Sequence, residues 1–216
     1  MQKEINYLIF LVLLISAQPL SSQENKFGLT IEYSPNFSKL TDEVIDEKFK
    51  LSHNSLLRMT YQSKGKIKPT FGLGFLNTGE LASSELSGTL GIESIKFIQN
   101  YTYIYIPIGA KINFKNLYIL PELGVAINVS KTTKIVTDFS NGETEMETIE
   151  AVFNSGEFNK YGIPFSFSVG TKLTLNNLSF TTGLKGYYGL TQVVKNVPRN
   201  NHYFGIGLLL AMNFGI

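Results

Sequence analysis

Few side chains in this 216-residue sequence can do chemistry, and their spacing narrows what that chemistry would be. His53 and Ser55 stand two apart. Residues i and i+2 of an extended segment share a face, so an imidazole would lie beside a hydroxyl that it could activate toward an acyl ester. No carboxylate is placed by spacing to orient that imidazole, which favours reading both as ordinary residues at a strand edge. His202 opens an apolar run and reads as an interfacial residue rather than a base. Glu32, Arg58, Lys111, Glu122, Lys172 and Lys185 all fall on the polar face of alternating segments, where they would meet as one polar network if that face were enclosed. Two acidic runs, Asp42, Glu43, Asp46, Glu47 and then Asp138, Glu143, Glu145, Glu147, Glu150, Glu157, lack the Asp-x-Asp-x-Asp-Gly spacing of a calcium loop. They read as solvated loop faces, with Thr41 able to cap a short helix in the first. No metal and no other cofactor is expected.

Composition removes other classes. With 19 Lys+Arg against 17 Asp+Glu the chain carries +2, too little to hold a nucleic-acid backbone. Cysteine is absent, which excludes a disulfide framework, a thiolate zinc site, a thiol nucleophile and an acylated lipoprotein cysteine. Apolar residues make up 43% and charged residues only 17%, so disorder is excluded as well.

The first 22 residues carry Lys3, an apolar run from Tyr7 to Ala17 and a small or polar end at Pro19, Ser21 and Ser22, the pattern of a secretory signal peptide. The remaining segment, 23–216, reads as one domain written in period two. Ile104, Ile106, Ile108, Ala110, Ile112 and Phe114 alternate with Tyr103, Tyr105, Pro107, Gly109, Lys111 and Asn113. A two-residue turn at Lys115 and Asn116 pairs Phe114 with Leu117, Ile112 with Ile119, Ile108 with Leu123 and Ile106 with Val125, apolar against apolar throughout. A turn at Asn176 and Asn177 likewise pairs Leu175 with Leu178, Leu173 with Phe180, Val169 with Leu184 and Phe165 with Tyr188. A one-residue slip would break either set.

Eight strands follow, near 26–36, 53–64, 68–78, 101–114, 117–129, 161–175, 178–191 and 202–216. Short turns alternate with the long connections 37–52, 79–100, 130–160 and 192–201. The expected fold is all-β, an eight-stranded antiparallel up-and-down transmembrane β-barrel of the outer-membrane type, its termini and short turns on the periplasmic rim. Its lumen would be filled by side chains, a polar plug in which Lys111 reaches diagonally to Glu122. Tyr101, Tyr161, Tyr188 and Phe204 suit an aromatic girdle at the loop rim, and Phe114 and Phe214 one at the turn rim.

The phrase Tyr103-Ile-Tyr-Ile-Pro-Ile-Gly-Ala-Lys-Ile-Asn-Phe114 with Leu117-Tyr-Ile-Leu-Pro-Glu-Leu-Gly124 resembles a fingerprint of small Bacteroidetes-type outer-membrane barrels, the PorT-like group. Phe71-Gly-Leu-Gly-Phe-Leu-Asn-Thr-Gly79 looks like the same group's third strand. The resemblance implies a barrel in the outer membrane of a Gram-negative bacterium and brings no catalytic residue. The expected function is therefore non-enzymatic: a barrel in contact with outer-membrane lipid and lipopolysaccharide, whose loops 37–52, 79–100 and 130–160 meet a protein or surface partner. Loop 130–160 interleaves Ile135, Val136, Phe139, Met146, Ile149, Val152 and Phe153 with acids, which points to a hairpin prolonging its neighbouring strands. Two alternatives stay open. One is a lipid-modifying enzyme using His53 and Ser55, a pair that resembles the catalytic pair of lipid A deacylases. The other is a soluble periplasmic ligand-binding barrel, which would reverse the two faces.

Overall fold

Alternating sequence becomes alternating structure because successive side chains of a strand point to opposite sides of the sheet. In the computed structural model, which describes residues 27–41, 47–85, 91–150, 159–175, 178–193 and 201–215, eight long strands result. They are β1 (Phe27–Leu40), β2 (Lys50–Tyr61), β3 (Ile67–Glu85), β4 (Ile92–Phe114), β5 (Leu117–Phe139), β6 (Pro164–Leu175), β7 (Leu178–Gly189) and β8 (Tyr203–Gly215). Each pairs antiparallel with its neighbours in chain order, and β1 pairs with β8, so the ring closes. Three short strands stand beside it: Glu47–Lys48 against β3, and Thr144–Glu150 and Tyr161–Gly162 against β5. The signal segment, Asp42, Glu43, Asp46, Glu157, the helix proposed after Thr41 and the Asn176-Asn177 turn lie outside the described residues.

Both hairpin registers hold at every pair named above. At the first turn Lys115 takes φ 51°, the left-handed value that a tight strand reversal requires. Following partners around the ring from Phe71 leads through Ile108, Leu123, Phe165 and Tyr188 to Phe204, and the other way through Met59 and Leu29 to Phe214. The two arrivals on β8 differ by 214 − 204 = 10 residues, which is the stagger of the barrel. For eight strands that stagger means a tilt of roughly 40°. Every residue on the tour faces outward.

The outside is apolar. Ile108 is 65% exposed, and Leu57, Leu73, Leu123, Leu173, Leu184, Leu208 and Leu210 are exposed with it on neighbouring strands. The inside is polar: Glu32, Ser34, Asn36, Arg58, Thr60, Glu122, Ser166, Ser168 and Lys185 are buried. A continuous apolar band of this kind is stable against lipid and unstable against water, so the strands are transmembrane and the soluble carrier, with its faces reversed, is excluded. Phe27, Tyr61, Phe114 and Phe214 ring the turn end, while Tyr161, Tyr188 and Phe204 sit outward near the loop end. Tyr101 departs from expectation. It is 1% exposed and points into the lumen, because it shares parity with Tyr103 and Tyr105.

The long connections also need correction. Residues 79–85 and 92–100 are not loop but ladder, with Leu81 opposite Ile98 and Ser84 opposite Ile95. Residues 37–40 belong to β1 and 50–52 to β2, whereas the hairpin expected within 130–160 is present, 130–139 continuing β5 and pairing with Thr144–Glu150. The band edge ends the need for outward apolar residues, but strand backbone still needs its ladder partners, so pairing runs on. At ~2.5 Å of height per tilted residue, a ~25 Å band takes about 10 residues. The 23 residues each of β4 and β5 therefore overshoot it by roughly 30 Å. Where β5 leaves the band a bulge intervenes, since Thr102 faces Ser130 while Tyr103 faces Asn128, leaving Val129 extra. One inserted residue exchanges the two faces of β5 beyond that point. Below the bulge Asn128 points into the lumen, at it Val129 points out, and above it Lys131 lies over the lumenal Tyr101 ring, 5.5 Å from its centroid.

The band makes a direct prediction. Ile108→Arg or Leu184→Arg, placed outward near mid-band, should destabilise the folded barrel by about 2–4 kcal/mol in urea titrations of vesicle-reconstituted protein. A neutral Ile108→Arg would mean that the faces are assigned backwards.

Candidate functional site

Four of the six charged residues expected in the lumen meet. The Arg58 guanidinium of β2 bonds the Glu32 carboxylate of β1, and its Nη2 lies 2.8 Å from both carboxylate oxygens of Glu122 on β5, with Nε at 3.1 Å. Lys185 of β7 places Nζ 2.5 Å from Glu32 Oε1 and 3.6 Å from Glu122 Oε2. Ser166 Oγ of β6 donates to Glu122 at 3.2 Å and lies 3.3 Å from the Tyr105 hydroxyl. Two cations thus join two anions drawn from nearly opposite walls, and the cluster is neutral. Forked donors on a planar carboxylate are the strongest hydrogen bonds available to such a site.

The expected diagonal bond from Lys111 to Glu122 does not form. Glu122 is occupied by Arg58, and the Lys111 ammonium sits instead over the Tyr118 ring, 4.2 Å from its centroid. Lys172 also stands apart, exposed near the turn end. These two line a cavity of about 300 Å³ at the turn rim together with Lys68, Gln62, Asn113 and Asn213.

Tyrosine fills the lumen on the loop side of the charges. Tyr101, Tyr103, Tyr105, Tyr187 and Tyr203 are all buried, with Tyr203 5.7 Å from Tyr103 and 5.8 Å from Tyr187 between ring centroids. The Tyr187 hydroxyl donates to Asn36 Oδ1 at 2.7 Å. Room comes from glycine: a Cβ at Gly205, the ladder partner of Tyr187, would fall 2.2 Å from that ring, and one at Gly170, partner of Tyr118, 2.9 Å from its ring. On the turn side Tyr118, Leu120 and Leu209 form a small apolar floor. Gaps beside the charge cluster measure about 10 Å³ each, room for about one water. Tyrosine rings, not long charged chains, fill the space at Gly124, Gly170 and Gly205. A Gly facing a Tyr across a lumenal ladder pair is the signal that would have revealed this.

His53 and Ser55 both lie exposed on the outer face of β2. The imidazole packs against Tyr33 at 6.4 Å between centroids, and among the described residues no hydrogen bond joins it to Ser55 or to a carboxylate. His202 precedes β8, stacks on Tyr188 at 5.4 Å and places Nδ1 2.7 Å from the Gly189 carbonyl. Among the described residues no three His, Asp or Glu side chains gather as metal ligands.

Beyond the band β3, β4, β5 and Thr144–Glu150 make a four-stranded sheet. Asp138 holds its outer side, accepting from Lys96 at 2.7 Å, Ser94 at 2.8 Å and Thr144 at 3.0 Å. These hydrogen bonds lower the Asp138 carboxyl to about 2. Glu143, Glu145 and Glu147 are exposed, as is Met146 at 66%.

No family model matches the chain, and no curated protein matches it either. Among solved structures it is similar to Ail, the attachment invasion locus protein of Yersinia pestis, in complex with the heparin analogue sucrose octasulfate, at 11% identity and TM-score 0.46 over 88% of this chain and 99% of that one. It is also similar to the outer membrane protein AlkL in DMPC bilayers, at 15% identity and TM-score 0.41 over 92% and 95% of the two chains. Neisserial surface protein A aligns at 10% identity and TM-score 0.38 over 88% and 97%.

Removing one member of the charge cluster strands the others. Arg58→Ala leaves Glu32 and Glu122 sharing a single cation in a closed space, and should cost about 3–5 kcal/mol of unfolding free energy in urea titrations. An unchanged midpoint would show that the cluster does not hold the walls together.

Proposed function

We propose that this chain is a surface protein of a Gram-negative outer membrane, a non-enzymatic barrel that carries a rigid β-platform for meeting a partner outside the cell. One observation carries the reading: above a lumen filled with charge and tyrosine, β3, β4, β5 and Thr144–Glu150 stay paired past the apolar band, with β4 and β5 rising roughly 30 Å beyond it. A filled eight-stranded barrel transports little, so its exchange with the surroundings falls to what projects from it. The projecting sheet offers alternating exposed acids and apolar side chains, Glu145, Met146, Glu147 and Ile149, on a strand paired along one edge with β5. Acids on such an edge discourage edge-to-edge aggregation while leaving contact surface for a partner.

The PorT-like reading belongs with this proposal. Segments 71–79 and 103–124, which carry that resemblance, form the walls of β3, β4 and β5, so the likeness supports a barrel scaffold rather than a chemical role. The lipid-modifying alternative loses support from the geometry around His53, whose ring lies against Tyr33.

Two experiments test the proposal. Replacing 132–158 with a short Gly-Ser turn should leave a heat-modifiable barrel in the outer-membrane fraction and abolish binding of the protein to cells or matrix. Retained binding, or a barrel that no longer folds, would remove the function from this sheet. Acid provides the second. Because the Asp138 carboxyl titrates near 2 in the folded sheet against 3.8 in a free chain, its stabilising bonds are intact above about pH 4 and are lost as pH falls toward 2. Pepsin cleavage of intact barrels within 91–150 should therefore rise across that interval, and Asp138→Asn should flatten the rise.

A further inference from the structure

At mid-lumen the opposite charges are paired, and at the turn rim they are not. Glu32 and Glu122 are matched by Arg58 and Lys185 within hydrogen-bond reach. Toward the turn rim lie three more cations, Lys68, Lys111 and Lys172, lining one cavity of about 300 Å³ whose described walls include no Asp or Glu. Lys68 and Lys111 are direct ladder partners on β3 and β4, an arrangement in which like charges repel. Lys172 closes on them from β6. The remaining polar wall is made of neutral groups, with Gln62 accepting from Lys68 at 2.5 Å. Lys111 is steadied from below by the Tyr118 ring rather than by an anion.

We propose that this vestibule is a binding site for a phosphate-bearing anion. Three ammonium groups on three separate strands, each with three rotatable donors, suit an anion that carries more than one charge and presents acceptors in several directions. Phosphate does both at neutral pH, and a lone carboxylate does not. The volume lies at the lower limit of ligand pockets and exceeds a bare oxyanion, so it suits pyrophosphate or a phosphate attached to a small organic group. The source is either a soluble phosphate or the headgroup of a lipid at the rim. The inference concerns the opposite end of the barrel from the projecting sheet and stands independently of the surface-binding proposal.

The test uses chain 23–216 folded in uncharged maltoside micelles, titrated calorimetrically at constant ionic strength. One arm adds pyrophosphate. The other adds a short-chain phosphatidylglycerol to the micelle, read by lysine-selective NMR. Saturable one-to-one binding in either arm, weakened at least tenfold by Lys111→Met with Lys172→Met and unchanged by the distant Lys134→Gln, is the expected result, and the arm that responds identifies the source. Lys68→Gln, at the rim itself, serves as the variant if the double replacement does not fold, and should weaken binding several-fold. No saturable binding in both arms, or binding indifferent to all three lysines, would overturn the proposal.

Discussion

Two carboxylates and two cations brought together inside a barrel wall form the interaction on which the rest of the lumen is arranged. Glu32 comes from β1, Arg58 from β2, Glu122 from β5 and Lys185 from β7, so one cluster ties strands that are far apart around the ring. Stripping water from four charges is expensive, and the cost is offset only when each finds partners at close range. That requirement restricts what surrounds them. Tyr118, Leu120 and Leu209 exclude solvent on one side, tyrosines do so on the other, and Ser166 adds a second donor to the Glu122 oxygen that Arg58 already holds. The cluster therefore contributes specificity of register as much as energy, since a slip in any one strand would withdraw its charge from the centre.

Lipid imposes the complementary constraint on the outside. A strand in hydrocarbon must satisfy every backbone donor and acceptor through its neighbours, which only a closed ring allows. Closure at a stagger of ten residues sets the lumen's width. Glycines at ladder positions opposite tyrosines let large rings enter that narrow space without pushing the wall apart.

The two ends of the barrel follow different rules. At the turn end the chain reverses tightly and leaves a lysine-lined vestibule. At the other end β3, β4 and β5 keep their ladder beyond the band, with one bulge near Val129 that exchanges the faces of β5. Above that point the sheet is held by its ladder and by Asp138 with Lys96, Ser94 and Thr144.

What the sequence determined by itself was everything that depends on period two and on short-range turns. The alternation of Ile104 to Phe114 against Tyr103 to Asn113, and the apolar pairs across Lys115-Asn116 and 176–177, specify strands, faces and register, because a two-residue turn leaves one pairing possible. Strand ends were legible only where polarity changes with the band, and β3 to β5 run past that change because hydrogen bonding, not hydropathy, decides where a ladder stops. The face of each lumenal charge could be read along the chain, but not its partner. Lys111 lies one diagonal step from Glu122, and Arg58, 64 residues away in sequence, takes that carboxylate instead. Partner choice across a lumen depends on tilt, stagger and side-chain reach acting together. Those quantities exist only once the ring has closed, so the tertiary structure alone selected the cluster of four, the tyrosine filling and the three lysines left at the rim.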